Sequence, residues 1–326
     1  MKTLELEQNL QGDMKLMKCN WLDNIDVSNL ANKKILIAGG TGFIGKRLVE
    51  ILESCNAKVC VISRKKHIDS SNTKYIVGDL TDYEKLKSLQ TENFDISVYM
   101  AANIPLAGQK KETYYEAKKT TLDPFLNFCD IFLPKTKKFI YISSIDVLGA
   151  CEIKNYSEGT AINNPTPYGI AKYCGEFYTK LMCDQLSINY TILRFSQVYG
   201  PNEPIVRIIP IIKDSLIKGK EFNLFTHGTE TRKFLYVDDA TQAIIRCALS
   251  DVQGVFNIAG KDETSILTLI DEMEKVFNKK LKLNLLKQVE GKSNVPSIDK
   301  AVKLLKYEPY FDITTGLKEI KECENI

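Results

Sequence analysis

Apolar positions along the chain switch between two periods. Lys34-Ile-Leu-Ile-Ala38 is a short β-branched run ending in glycines, and Phe43–Ser54 follows with apolar residues at helical spacing, which predicts strand, turn and helix. The same alternation predicts strands over Lys58–Ser63, Tyr75–Val77, Ile96–Met100 and Phe139–Ser143, with helices through Lys85–Leu89 and Tyr114–Phe132. A helix then runs from Tyr168 to about Gln185, followed by a strand over Tyr190–Arg194 and an irregular Pro- and Gly-rich stretch over 200–230. A helix near Asp238–Ser250, a strand over Val255–Ile258 and two helices around Ile266–Phe277 and Ile298–Lys306 complete the expectation. Strands separated by helices require right-handed crossovers, so the pattern predicts an α/β fold with a parallel sheet covered on both faces. Residues 1–33 stand outside it as a polar N-terminal extension with one apolar patch around Met17–Leu22. That extension holds the only tryptophan, Trp21, which is expected to pack onto the body or a partner chain.

Composition narrows the classes. The 326 residues, 44% of them apolar, suffice for one large α/β domain or two smaller units. Forty-four basic against 41 acidic side chains give a net charge of only +3, which argues against binding nucleic acid through its phosphates. Apolar stretches such as Ile205–Ile212 are broken by Arg207 and Pro210, far short of the roughly 18 apolar residues of a membrane span. The segment MKTLELEQNLQGDMK lacks the apolar core and cleavage site of a secretory signal, so a soluble, cytoplasmic protein is expected. Nine cysteines (19, 55, 60, 129, 151, 174, 183, 247, 323), with no C-x-x-C pair, read as reduced core residues. His67 and His227 have no Cys or carboxylate at ligand spacing, and no metal site is expected.

Candidate chemistry begins at Gly39-Gly-Thr-Gly-Phe-Ile-Gly45, between the first strand and the first helix. Glycines at 39, 42 and 45 allow, in turn, a tight turn, a close approach of backbone to a pyrophosphate, and close helix–strand packing. The competing P-loop pattern Gly40-x-x-x-x-Gly45-Lys46 needs a following hydroxyl for magnesium and has Arg47, so ATPase or kinase chemistry is disfavoured. After the second strand, where a carboxylate would receive the ribose of NAD, the chain reads Ser63-Arg64-Lys65-Lys66. A hydroxyl followed by arginine suits a ribose 2′-phosphate and favours NADP over NAD; the alternative is a solvated basic turn. Asp79 and Leu80 fall where a carboxylate accepts from an adenine amino group, and Asp79 is otherwise a local turn cap.

Tyr168 and Lys172 open a predicted helix four residues apart, on one face. A neighbouring ammonium favours the phenolate, which fits Tyr168 to exchange a proton while hydride moves to or from a nicotinamide. Alone, this spacing is also that of a surface helix pair. Ser143-Ser144, ending a preceding strand, adds a hydroxyl that polarises a substrate oxygen at the carboxyl edge of a parallel sheet.

With these residues in place, the chain resembles the extended short-chain dehydrogenase/reductase family, also called NAD-dependent epimerase/dehydratases. The resemblance runs from Lys34 to about Ile320 through GGTGFIG, GDL (78–80), YMAA (99–102), SSIDVLG (143–149), PYGIAK (167–172), LRFSQVYGP (193–201), RKFLYVDDA (232–240), FNIAG (256–260) and ITTGLKEI. It implies a Rossmann-type doubly wound parallel sheet with a smaller, interleaved C-terminal substrate-binding domain. The cofactor unit would be 34–195 with about 234–261, and the substrate unit 196–233 with 262–326. Ser144, Tyr168 and Lys172 become the catalytic triad. Gly39, Thr41, Gly42, Phe43, Ile44, Gly45, Ser63, Arg64, Lys65, Asp79, Leu80, Ala101, Ala102 and Ile142, with Tyr168 and Lys172, become the cofactor site. Asn103, Ser144, Gln197 and Arg232 meet a nucleoside-diphosphate sugar, with Arg232 near its diphosphate, and the helices over 114–132 and 170–186 pair across a homodimer.

Departures from the family pattern narrow the activity. The Asp-Glu pair of 4,6-dehydratases reads Ile145-Asp146, and Ile145 cannot move a proton. The usual Asn of LRFxNVYGP is Gln197, and an Asn common after YMAA falls at Lys118, which is equally a solvated helix residue. The expectation is an NAD(P)-dependent reductase or epimerase of a nucleoside-diphosphate sugar acting at C4. A reductase of a non-sugar carbonyl and a non-catalytic nucleotide sensor are the alternatives.

Overall fold

The computed structural model describes residues 21–89, 92–104, 113–149, 154–204 and 207–326. Expectations for Cys19, Cys151, the first 20 residues and Ile205-Val206 lie outside these. In chain order, β1 (Lys34–Ala38), α1 (Phe43–Ser54), β2 (Lys58–Ser63), β3 (Thr73–Val77), α2 (Tyr83–Lys87) and β4 (Phe94–Tyr99) form the first half. The helical segment α3 (Tyr114–Ala117) and α4 (Asp123–Phe132), β5 (Thr136–Ser144), α5 (Pro167–Leu186) and β6 (Asn189–Phe195) form the second. The remainder comprises β7 (Val198–Tyr199), α6 (Ile208–Lys218), β8 (Glu221–Thr226), β9 (Thr231–Arg232), β10 (Leu235–Tyr236) and α7 (Val237–Leu249). It closes with β11 (Gly254–Ile258), β12 (Thr264–Ser265), α8 (Ile266–Phe277), β13 (Lys282–Val289), α9 (Asp299–Leu305) and α10 (Ile313–Cys323).

Seven of these strands make one parallel sheet in the order β11-β6-β5-β4-β1-β2-β3. This is the doubly wound arrangement expected. Parallel strands are buried on both faces, and β1 shows why its sequence is continuously apolar. Ile35 and Ile37 enter one core cluster with Leu48, Ile51 and Leu52 of α1, while Leu36 and Ala38 enter another on the opposite face. There, Tyr99, Phe125, Phe128, Phe139 and Tyr141 pack in edge-to-face, tilted and stacked pairs, with ring centroids 4.8–6.4 Å apart. Each such pair adds about 0.5–1.5 kcal/mol beyond area burial. The strand order reverses between β1 and β4, and a crevice opens at the carboxyl ends of those strands.

Arg47, the residue that spoils the P-loop pattern, is buried and forks onto Asp238 of α7, with Nε–Oδ1 2.7 Å and Nη2–Oδ2 2.9 Å. Removing one partner of such a pair leaves a buried charge and costs about 3–5 kcal/mol, so the pair fixes α1 against α7. Trp21 is buried in the main core, on the body as expected.

Three expectations need correction. The stretch 200–230 is not irregular: it contains α6 and β8. Pro210 obscured the helix, yet it falls in the first turn, where its missing N–H costs nothing. The late chain carries more than two helices. β13 pairs with β8 away from the main sheet, with successive side chains exposed from Lys282 to Leu286 rather than alternately buried, and α10 is interrupted in pattern by Gly316. The helix over 114–132 is not continuous α-helix; a π-turn at Lys118–Leu122 joins α3 to α4 just before Pro124, which lacks the N–H for the i−4 bond.

Candidate active site

The turn after β1 is built by steric necessity. A Cβ at Gly45 would lie 2.1 Å from the Gly39 carbonyl oxygen and 2.6 Å from the Gly40 Cα, so only glycine lets α1 start against the strand end. Gly42 caps α1 with no side-chain hydrogen bond, and the first turn carries no acidic residue. The free N–H groups and the positive end of the helix dipole therefore face the crevice, an arrangement that fits a dinucleotide pyrophosphate.

The second half of the site is set by Thr166, whose hydroxyl accepts from the Gly169 N–H at 3.1 Å, and by Pro167 at the first helical position. A Cβ at Gly169 would lie 2.3 Å from the Asp146 carbonyl oxygen, so this glycine lets α5 begin against the turn that follows Ser144. The Ser144 hydroxyl accepts from the Asp146 N–H at 3.2 Å. Tyr168 and Lys172 are both buried, and the Lys172 ammonium donates to the Ile142 carbonyl at 2.6 Å and lies 4.9 Å from the Tyr141 ring centroid.

A cavity of about 300 Å³ joins the two halves. Gly39, Gly42, Phe43, Ile44, Gly45, Ala102, Ile142, Ser144, Tyr168 and Lys172 line it, so predicted cofactor and catalytic residues meet in one space. Gln197 and Arg232 line a second cavity of about 260 Å³, with Glu230 and Arg207. Arg207 lines both cavities, and sequence reasoning missed it because it lay in the stretch read as irregular. Arg232 and Lys292 also face a third cavity, of about 180 Å³, beside Ile145 and Tyr156.

Thr41, Ser63, Arg64, Lys65, Asp79, Leu80, Ala101 and Asn103 do not line these cavities. Ser63 is buried at the end of β2 and accepts from the Lys65 N–H at 3.2 Å, while Arg64 and Lys65 are exposed. Asp79 accepts from the N–H and hydroxyl of Thr81 at 2.9 and 2.8 Å, which hold its carboxyl below the usual range. Lys118 is exposed and paired with Asp123, as a solvated residue.

Burial dominates the electrostatics. It pushes the Lys172 ammonium from 10.5 down to about 7, opposed by the negative charge of Glu176. Between about pH 7 and the lysine's ordinary value, the unfolded chain holds a proton that the folded chain has released, so this group's contribution to stability rises with pH across that window. Burial likewise raises the Glu203 carboxyl to about 8, against the opposing fields of Arg207 and Lys213.

A doubly wound sheet with a glycine turn at its reversal point and a Tyr/Lys pair across the crevice defines a class of nicotinamide-dinucleotide enzymes. Residues 35–259 match the model of the NAD dependent epimerase/dehydratase family, and the chain belongs to that family. It is similar to a putative UDP-glucose 4-epimerase of Methanocaldococcus jannaschii, 27% identical over 296 residues spanning 88% of this chain and 96% of the relative. A dTDP-D-glucose 4,6-dehydratase of Dictyostelium discoideum is 29% identical over 76% of this chain and 62% of that protein. Among solved structures, the UDP-glucuronic acid 4-epimerase of Bacillus cereus in complex with NAD superposes with a TM-score of 0.74 at 28% identity, over 89% of this chain and 99% of that one. No helix among the described residues is long and apolar enough to cross a membrane.

Proposed function

We propose that this protein interconverts or reduces a uridine-diphosphate sugar at C4, using a nicotinamide dinucleotide held on residues 34–195 with 234–261 and a sugar nucleotide held on 196–233 with 262–326. The observation that carries the reading is the single cavity shared by the glycine turn, Ser144, Tyr168 and Lys172. When bound there, a nicotinamide would supply hydride acceptance from, or hydride donation to, the sugar C4. Tyr168 takes the C4 hydroxyl proton as the carbonyl forms and returns it afterwards. Ser144 donates to the C4 oxygen and holds it beside Tyr168. Lys172, anchored on the Ile142 carbonyl, binds ribose hydroxyls and, when charged, favours the Tyr168 phenolate. Arg207 and Arg232 hold the diphosphate, which their shared second cavity supports. Epimerisation rather than 4,6-dehydration is favoured because buried Ile145 stands where elimination needs a proton-transferring side chain.

Calorimetry with UDP-, dTDP-, GDP- and CDP-sugars, each with dinucleotide present, tests the reading. UDP-sugars should bind most tightly, and binding of none of them would favour a non-sugar carbonyl reductase or a nucleotide sensor.

The cofactor is proposed to be NADP, because 63–66 offers three exposed cations (Arg64, Lys65 and Lys66) and a buried serine hydroxyl at the end of β2 with no carboxylate among them. Charge-assisted hydrogen bonds are worth about 1.5–3 kcal/mol. Arg64→Ala should therefore weaken NADP binding by about 10- to 100-fold and leave NAD affinity nearly unchanged. Equal losses for both dinucleotides, read by fluorescence titration, would contradict the assignment.

A homodimer is proposed from α5, where Tyr173, Phe177, Tyr178 and Leu181 leave a stripe at helical spacing exposed beside Tyr114 and Tyr115. Phe177 is 62% exposed and central to the stripe. Sedimentation should show a dimer that Phe177→Glu converts to monomer; a wild-type monomer would refute the pairing.

A further inference from the structure

Behind the cavity lies a buried charge network that the proposed chemistry does not use. The Ser143 hydroxyl donates to Glu176 Oε1 at 2.6 Å, and Arg194 forks onto the same carboxylate through Nε–Oε1 at 2.9 Å and Nη2–Oε2 at 2.7 Å. Glu176 is only 4% exposed and Arg194 5%, so neither charge is screened by solvent. Ser143 and Arg194 are register partners on β5 and β6, and Glu176 sits one turn beyond Lys172 on α5. One carboxylate thus staples the helix carrying Tyr168 and Lys172 to the two strands whose ends floor the cavity.

We propose that Glu176, clamped by Arg194, is a positioning residue: it fixes α5 against the Ser143-Ser144 strand end and sets a buried carboxylate one helical turn from the Lys172 ammonium. This rests on the proposed role of Lys172, although the network itself is independent of any substrate. Among the described residues, the groups against Lys172 are few. Glu176 and Tyr168 lie on its own helix, the Tyr141 phenol and the Ile142 carbonyl come from β5, and Arg194 of β6 meets Glu176. Among the described residues, Glu176 supplies the opposite charge whose field acts on Lys172, and it opposes the burial that drives the ammonium toward its neutral form. The sign follows. Neutralising Glu176 leaves two cations in one buried cluster, so Lys172 releases its proton at lower pH. Neutralising Arg194 leaves the carboxylate's full charge to Lys172, which then holds its proton to higher pH.

Titration of isotope-labelled lysine side chains by NMR, with the Lys172 resonance assigned by its loss in Lys172→Met, reads this directly in the full-length protein. Glu176→Gln should lower the Lys172 midpoint by about one pH unit, and Arg194→Met should raise it by a similar amount. Where a UDP-sugar is turned over, the alkaline limit of activity should move in the same two directions. A purely structural network would lower activity evenly at every pH and leave both midpoints unmoved or shifted alike, and that result overturns the proposal. If Glu176→Gln does not fold, Glu176→Asp, which keeps the ion pair with one methylene less reach, should give a smaller downward shift; an unmoved midpoint there is equally fatal. Absence of turnover with every UDP-sugar would sink the epimerase reading and leave the lysine midpoints to decide this one.

Discussion

Replacing Tyr168 with Phe is expected to reduce turnover of a UDP-sugar by about 10²- to 10⁴-fold, the range that a positioned proton donor and acceptor contributes. The ring stays: Tyr168 is 6% exposed at the start of α5, and Phe fills the same volume. Only the hydroxyl is lost from a cavity where Ser144 and Lys172 remain. Dinucleotide affinity should therefore hold within about threefold, since each pyrophosphate contact proposed lies on the glycine turn. The thermal midpoint should change little. Kinetics on UDP-glucose with parallel fluorescence titration of the dinucleotide separates these quantities. Full activity in the Phe variant would remove Tyr168 from the chemistry, and a large loss of cofactor affinity would make it a binding residue instead.

The second large effect is expected at Gly45. A methyl group there would meet the Gly39 carbonyl oxygen at 2.1 Å and backbone atoms of Gly40 within 3 Å, and none of these is a flexible side-chain end that yields cheaply. Overpacking of this kind costs about 1–3 kcal/mol, released by moving α1 away from the strand end. That motion carries the helix N-terminus off the pyrophosphate. Losing two charge-assisted contacts, about 3 kcal/mol, corresponds to about a 100-fold weaker dinucleotide complex. Gly45→Ala should thus unfold at lower urea and bind cofactor about 100-fold more weakly, while Gly42→Ala, whose Cβ would meet only the Gly39 oxygen at 3.2 Å, disturbs folding less. Equal behaviour of the two variants would mean that the turn tolerates displacement of α1.

The sheet was legible because its strands obey a strong rule: buried on both faces, they read as unbroken apolar runs with helices between them. Tyr168, Lys172 and Ser144 were legible for a related reason. Strand ends and helix starts at the carboxyl edge of a parallel sheet are few, and these residues occupy two of them. Arg207 was not. It lies immediately before a helix whose first turn contains Pro210, so its local pattern predicted no element, and only the folded chain brings it between the Tyr168 cavity and the one lined by Gln197 and Arg232. The Glu176–Arg194 pair was hidden differently. Both residues lie in strongly patterned elements, but their meeting depends on β6 lying next to β5, a fact of topology rather than of local spacing.

Reversible oxidation of a sugar at C4 is the central claim, and isotopic labelling tests it most directly. The protein would be incubated with UDP-glucose deuterated at C4 and catalytic dinucleotide, and the recovered sugar nucleotides analysed by NMR and mass spectrometry. The expected result is UDP-galactose carrying deuterium at C4, label appearing transiently in the dinucleotide pool, and neither event in the Tyr168→Phe variant. Deuterium that never leaves the substrate in wild-type protein, here and with the corresponding C4-labelled UDP-glucuronic acid and UDP-N-acetylglucosamine, would contradict the claim.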